Sequence, residues 1–195
     1  MELTLPLKMN LENVHMTDEQ FYNLCVANPE LVLERNAKGV LIVMTPVGGD
    51  SGRREMSIGG ELYLWNRQTD LGEVFSSLTL FKLPSGGDRS PDAAWIERSR
   101  WQALTPEQRQ KFPPIAPDFV IELRSRTDRL ADLQEKMQEY LTSGVRLGWL
   151  LNPQDQQVEI YRQGQEKEVR GLPTRLSGEC VLPGFELWVD LFTDD

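Results

Sequence analysis

Two stretches, "SPDAAWIERSRW" (Ser90–Trp101) and "PDFVIELRSR" (Pro117–Arg126), decide how this chain folds. Each opens on Pro-Asp and runs straight into apolar residues, as a short buried strand does. Glu122 interrupts the second run between Ile121 and Leu123. A buried carboxylate is costly unless it finds a metal, a cation or hydrogen bonds. A structural ion pair with Arg124 or another arginine is one solution. A divalent metal shared with a second carboxylate at the sheet edge is the other, and the Pro-Asp context favours it.

The geometry of a strand selects the partner. At about 3.3 Å per residue, Asp118 and Glu122 share a face but stand roughly 13 Å apart. One ion cannot take both, because its oxygen ligands lie at about 2.0–2.6 Å. Asp92 opens a different strand, which can pair beside "FVIEL" and bring its carboxylate to Glu122. Asp118 is expected to end a strand or cap a turn. A metal that activates water for phosphodiester attack needs a positive charge nearby to orient the nucleophile and offset developing charge. Two residues beyond Glu122 stands Arg124, which holds phosphate but does not readily deprotonate. Lys136, on the following helix, is the alternative. It sits at the shoulder of that helix's apolar stripe, where it is expected to bury little and reach back to the sheet; a plain solvated lysine is the competing reading.

Bulk properties narrow the chemistry. The 195 residues are 39% hydrophobic and 26% charged, enough for one substantial α/β core over residues 1–195. Met1–His15 has no basic run followed by an apolar stretch, so no signal peptide is expected. No apolar run nears the roughly 20 residues of a membrane span. Cys25 and Cys180 lie far apart without metal spacing and read as buried small hydrophobes in a reducing compartment, so the expected location is the cytoplasm. His15 is the one histidine, which starves triads and zinc sites of ligands and suits a helix boundary. Carboxylates, lysine and a hard oxygen-loving metal remain. The net charge of −9 argues against tight coating of nucleic acid, which needs basic residues.

Residues 1–30 read as an N-terminal helical extension, with Thr17 or Asp18 capping a helix that carries Phe21, Leu24 and Cys25. "LVLERNAKGVLIVMTP" is a hairpin turning at Ala37-Lys38-Gly39, and "VGGDSG" is a loop without phosphate-cradle spacing. "RREMSIGGELYLWNRQ" is a helix with Ile58, Leu62 and Trp65 on one stripe. Its Gly59-Gly60 pair costs roughly 1 kcal/mol per glycine, which suggests close packing against a neighbour. "GEVFSSLTLFKL" reads as one long strand, and Glu97–Pro117 as a surface excursion with one or two short helices. "DRLADLQEKMQEYLTSGV" is the clearest helix, with Leu130, Leu133, Met137, Tyr140 and Leu141 on one face and Gly144 as its stop. "RLGWLL", "QVEIYR" and segments after Glu179 add strands. The order predicts an α/β fold, a mixed sheet flanked by helices.

The segments "GGELYLWNRQTDLGEVFSSLTLFKLPSGGDRSPDAAWI" and "PDFVIELRSRTDRLADLQEKMQEYLTSGVRLGWLLNP", with "VEIYR", resemble the Uma-two family of restriction-endonuclease-like proteins, abundant in cyanobacteria. That family belongs to the PD-(D/E)XK nuclease superfamily. The resemblance covers most of the chain beyond about residue 30 and implies a nuclease core over residues 53–162. It also implies that Asp92 and Glu122 are the metal ligands, for Mg²⁺ or Mn²⁺, and that Lys136 replaces the usual strand lysine. Gln134 and Tyr140 match polar residues on the same helix. A glutamate of the first core helix is expected to join, with Glu55 chosen and Glu61 the alternative. Arg124 at the usual lysine position is the departure.

The function so implied is a metal-dependent endonuclease acting on DNA, with Arg53, Arg54, Arg124, Arg126 and Arg129 available to phosphates. The runner-up is an inactive nuclease-fold scaffold, which the acidic charge supports. Nucleic acid is the expected partner, and no membrane. A homodimer could form through Phe185, Trp188 and Phe192, although packing within the chain is an equal expectation.

Overall fold

The structure, a computed structural model, describes residues 6–190. Along the chain run β1 (Leu7–Asn10), a 3₁₀ turn (Glu12–Val14), α1 (Asp18–Ala27), β2 (Val32–Arg35), β3 (Val40–Met44) and α2 (Gly49–Thr69). Next come β4 (Gly72–Ser76), β5 (Phe81–Lys82), β6 (Asp88–Arg89), β7 (Ala93–Glu97), α3 (Arg98–Gln102) and α4 (Pro106–Gln110). The chain continues with β8 (Phe119–Leu123), α5 (Leu130–Thr142), β9 (Leu147–Asn152), β10 (Gln157–Arg162), β11 (Glu168–Gly171), β12 (Thr174–Ser177) and β13 (Glu186–Val189). A six-stranded sheet has the order β11-β10-β9-β8-β7-β4, a five-stranded sheet the order β1-β3-β2-β6-β5, and β12 pairs with β13. The fold is α/β with a mixed sheet flanked by helices.

The one parallel pair of the larger sheet, β8 with β9, needs a crossover, and α5 supplies it as parallel strands demand. Met137 and Tyr140 of α5 pack with Ala94, Val120 and Leu150 on one face of that sheet. Gly148 permits the close approach, since a Cβ there would stand 2.5 Å from Met137 Cε. Gly144, at φ +103°, ends the helix in the left-handed region open to glycine. On the other face, Ile58 and Leu62 of α2 and Phe185 and Leu187 of the C-terminal hairpin complete the core. Phe185 stacks on Trp149 at 5.9 Å and is buried. It is therefore a core residue and not an interface residue. Trp188 is exposed, and Phe192 lies outside the described residues.

The five-stranded sheet joins β1 and the β2–β3 hairpin to β6 and β5, and it lies against α5. Lys8 pairs with Asp132 at 2.7 Å, Lys38 with Glu135, Lys136 with Glu34 at 2.9 Å, and Ala37 N donates to Glu139 at 3.1 Å. Positions 132, 135, 136 and 139 follow the i, i+3, i+4, i+7 spacing of one helix face. That polar face would meet solvent in a lone amphipathic helix. Here β1 and the β2–β3 hairpin pair with it and bury Lys136, while Glu135 stays exposed.

Several expectations need correction. The stretch from Gly72 to Leu83 is not one strand: β4 and β5 belong to different sheets. The chain turns at Ser77-Leu78, with Thr79 N donating to Ser76 O at 3.0 Å. Ser90 Oγ then captures the carbonyls of Ser77 and Thr79. Helix α2 begins inside "VGGDSG", with Gly48 as N-cap and Asp50 in its first turn, where an acidic residue meets the helix's positive end. Gly59 and Gly60 are not packed closely, because a Cβ on either would meet nothing within 4 Å. Residues 6–30 hold a strand as well as a helix. Cys180 is exposed instead of buried, whereas Cys25 is half-buried, and burial pushes its thiol up to about 11. Strands β11 and β12 precede Glu179. Of the two expected caps of α1, Thr17 fills the place and accepts from Gln20 N in a capping box, while Asp18 lies in the first turn. His15 closes the 3₁₀ turn at φ 50°. Among the described residues no helix is long and apolar enough to cross a membrane.

Candidate active site

Strands β7 and β8 are antiparallel, with Ala93 opposite Ile121. One step further along that register, Asp92 stands opposite Glu122, so the two carboxylates share a face of the sheet. Leu123 N donates to Asp92 Oδ2 at 2.6 Å, which holds the aspartate against the β8 backbone. Pro91 and Ser90 carry the chain into this position from β6, where it leaves the smaller sheet for the larger. Asp92 is half-buried and Glu122 is buried.

Helix α5 supplies the groups over Glu122. Lys136 and Tyr140 are four residues apart, hence neighbours on one helix face. Lys136 Nζ lies 2.9 Å from Glu122 Oε1, and Tyr140 Oη donates to the same oxygen at 2.8 Å. Lys136 also donates to Ser90 O at 3.0 Å and meets Glu34 Oε1 at 2.9 Å. The lysine is 6% exposed, so the expectation of a little-buried shoulder residue is overturned. The cover contributed by β2 is the reason.

Glu34 is the residue that the strand-and-motif reading missed. It is buried and accepts from Ser90 N at 2.9 Å and from Arg89 Nη1 at 3.0 Å, besides meeting Lys136. Arg89 in turn reaches Glu139 at 2.7 Å. Residues 34 and 89 come from a hairpin and from a segment that reads as a turn, so no periodicity announces them. The only local hint is two adjacent charges, Glu34-Arg35, closing an apolar strand.

The electrostatics follow from this crowding. Burial, and then the neighbouring Glu122 charge, push Asp92 well above the ordinary carboxylate value. Burial raises Glu122 as well, with Lys136 opposing and Glu34 adding to the shift. Burial would raise Glu34 too, but the Lys136 and Arg89 charges outweigh it and hold the carboxyl low. Burial works against the Lys136 charge, yet Glu122 and Glu34 together raise its pKa.

The other expected residues divide. Glu55, half-buried on α2, lines the same cleft as Asp92, Glu122 and Lys136, and its charge raises Asp92 slightly. Glu61 is exposed and outside the cleft lining. Gln134 is not brought to the pair: its amide donates to Glu159 on β10 at 2.7 Å. Two residues from Lys136, it faces another side of the helix. Arg124 does not pair with Glu122 but binds Asn152 and Asp155, each at 3.1 Å. Of the five arginines expected at phosphates, Arg129 lines the cleft. Asp118 lies at the far end of β8 and accepts from Glu97 N at 2.9 Å.

The cleft has a volume of about 1260 Å³ and runs between α2, the hairpin and the start of α5. Acidic side chains outnumber basic ones in its lining by eight to four. Three of the four bases, Lys8, Arg89 and Lys136, are already engaged with carboxylates. A polyanion entering it meets net repulsion unless cations accompany it.

Comparison with known proteins agrees with this architecture. A crystal structure described as that of "a putative nuclease belonging to DUF820" from Anabaena variabilis superposes with a TM-score of 0.69 at 21% identity, covering 82% of this chain and 89% of that one. At that identity the likeness shows the fold. No curated protein matches the chain. A sequence model of the Uma2 family, described as "Putative restriction endonuclease", matches residues 18–190, a span that takes in the hairpin with Glu34 as well as Asp92, Glu122 and Lys136. The chain belongs to the Uma2 family.

Proposed function

We propose that this protein is a metal-dependent nuclease hydrolysing phosphodiester bonds of DNA, with Asp92 and Glu122 as ligands of Mg²⁺ or Mn²⁺ and Lys136 assisting. The observation that carries the reading is Asp92 opposite Glu122 at the open end of β7–β8, with the Lys136 ammonium 2.9 Å from Glu122. Membership of a family described as "Putative restriction endonuclease" supports the reaction class.

The residues fit a hard divalent ion. Two carboxylates are crowded together and raised in pKa by burial, so an added positive charge relieves them. Among the described residues no group of three or more His, Cys, Asp and Glu is arranged to hold a metal. Two carboxylates with water and a substrate phosphate suffice for Mg²⁺, which dehydrates reluctantly. When bound, such an ion lowers the pKa of a coordinated water and polarises a phosphate oxygen. The chain's own groups do the positioning. Leu123 N–H fixes Asp92, Tyr140 Oη fixes Glu122, and the Lys136 ammonium offsets negative charge gathering on the phosphate in the transition state. The acidic cleft is also expected to make DNA binding depend on added cations, which must offset its charge before DNA enters.

The competing reading, a nuclease-fold module without turnover, is favoured by one observation: Lys136 and Tyr140 already engage both oxygens of Glu122. Calorimetric titration with Mn²⁺ and Mg²⁺, beside cleavage of mixed plasmid and oligonucleotide substrates, separates the two. Ion binding and cleavage by wild type, both lost in Asp92→Asn and Glu122→Gln with the fold retained, are expected. A wild type that neither binds nor cuts assigns the protein to the module reading.

A further inference from the structure

We infer that Glu34, from the N-terminal hairpin, is the positioning residue that keeps the Lys136 ammonium in place when Glu122 engages a cation. The inference rests on the metal reading above and extends it to a residue outside the strand pair and α5.

An ammonium has three N–H donors. In this site Lys136 meets three groups: Ser90 O at 3.0 Å, Glu34 Oε1 at 2.9 Å and Glu122 Oε1 at 2.9 Å. Two of the three do not involve Glu122. If Glu122 were the lysine's sole anion, the two charges would close on each other, and any divalent ion would have to displace the lysine. With Glu34 present, the ammonium stays held when Glu122's oxygens turn to an incoming ion. Glu34 can do this because it is itself fixed. Its Oε1 accepts from Ser90 N at 2.9 Å and its Oε2 from Arg89 Nη1 at 3.0 Å, and the residue is 2% exposed. Ser90 therefore touches both members, accepting from Lys136 and donating to Glu34, two residues before Asp92. The hairpin, the lysine and the Asp92 turn form one bonded unit. Outer groups that set how a metal ligand is held commonly change metal affinity by about 10–100-fold when removed, and Glu34 acts in that way by holding the ammonium as Glu122 turns to the ion.

The test is Mn²⁺ calorimetry on the full chain as wild type, Glu34→Gln, Lys136→Met and the double variant, with ¹⁵N NMR of the lysine ammonium groups alongside. Glu34→Gln keeps the shape, so its fold is checked first by circular dichroism. We expect a loss of Mn²⁺ affinity of at least about tenfold in Glu34→Gln. The same change made on the Lys136→Met background should cost under about threefold, because the carboxylate then has no ammonium to hold. A purely structural Glu34 would lose equally on both backgrounds, and that outcome overturns the inference. So does a Glu34→Gln protein that binds as wild type does. In wild type alone, the Lys136 ammonium signal should remain protected from exchange as Mg²⁺ is added. Its disappearance on metal addition overturns the hold by Glu34 whether or not any variant folds. A wild type that takes up no ion defeats the metal reading and this role with it, a result distinct from the others.

Discussion

The two Pro-Asp pairs sit at opposite ends of the same antiparallel strand pair, and their surroundings have opposite signs. At one end Asp92 faces Glu122 and is pushed well up in pKa by burial and that like charge. At the other, Asp118 is 1% exposed yet meets Arg100 Nη1 at 2.8 Å and Arg146 Nη1 at 3.6 Å. Its carboxylate also accepts from Glu97 N, tying the start of β8 to the end of β7. Identical dipeptides have thus become a strained acidic pair and a satisfied structural anchor. What distinguishes them is the company supplied from elsewhere: a carboxylate and a buried lysine at one end, two arginines at the other. An acidic group that the fold leaves crowded is a functional candidate, whereas one that it neutralises is a fastener.

The comparison is broken most forcefully at Lys136. Lys136→Ala should leave Glu34 and Glu122 buried without their shared cation, and removing one partner of such a group costs about 3–5 kcal/mol. Urea unfolding monitored by fluorescence reads the loss directly. A midpoint close to wild type would mean that the lysine is solvated after all. At the other end, Asp118→Ala should cost about 1–3 kcal/mol, the price of one buried acceptor lost from a backbone donor, since both arginines can turn to water. Mn²⁺ affinity should be unchanged in that variant; loss of ion binding there would mean that the two ends are not independent.

A third expectation concerns pH. Asp92 and Glu122 are both raised above their ordinary values, so the folded state binds their protons more tightly than the unfolded chain does. Their contribution favours folding at low pH and is lost as pH rises from the ordinary carboxylate range through the raised folded values. Asp92→Asn should remove the Asp92 share of that decline, and added Mg²⁺ should oppose it in wild type only. Thermal melts across pH 4–8, with and without the ion, measure both; a steeper decline in Asp92→Asn would contradict the crowding. The smallest effect belongs to Arg124→Ala. Its pairing with Asp155 is partly exposed, so a change within about 1 kcal/mol in stability and none in ion affinity is expected in the same calorimetric titration.

How much of this was legible in the residues depends on the range of the physics involved. Local rules sufficed for α1 and its start at Thr17 or Asp18, for the hairpin at Gly39, for the Ile58/Leu62 stripe and for α5 with its Gly144 stop. Strand rise alone separated Asp118 from Glu122, and helix periodicity could have set Gln134 aside, since a residue two places from Lys136 cannot share its face. The split of β4 from β5 was hidden, because a turn stabilised by Ser90 Oγ depends on a residue more than ten positions away.

By itself the sequence determined the fold class, the main helices and the candidate pair Asp92 and Glu122, because each follows from periodicity, from strand rise that sets Asp118 apart from Glu122, or from the pairing of two neighbouring strands. Only the tertiary structure decided that the charged face of α5 pairs with β1 and the N-terminal hairpin, that Lys136 is buried there and that Glu34 meets it. These depend on contacts between residues 46 to 124 positions apart, and no local pattern of apolar and polar residues records which charge will meet which across such a distance.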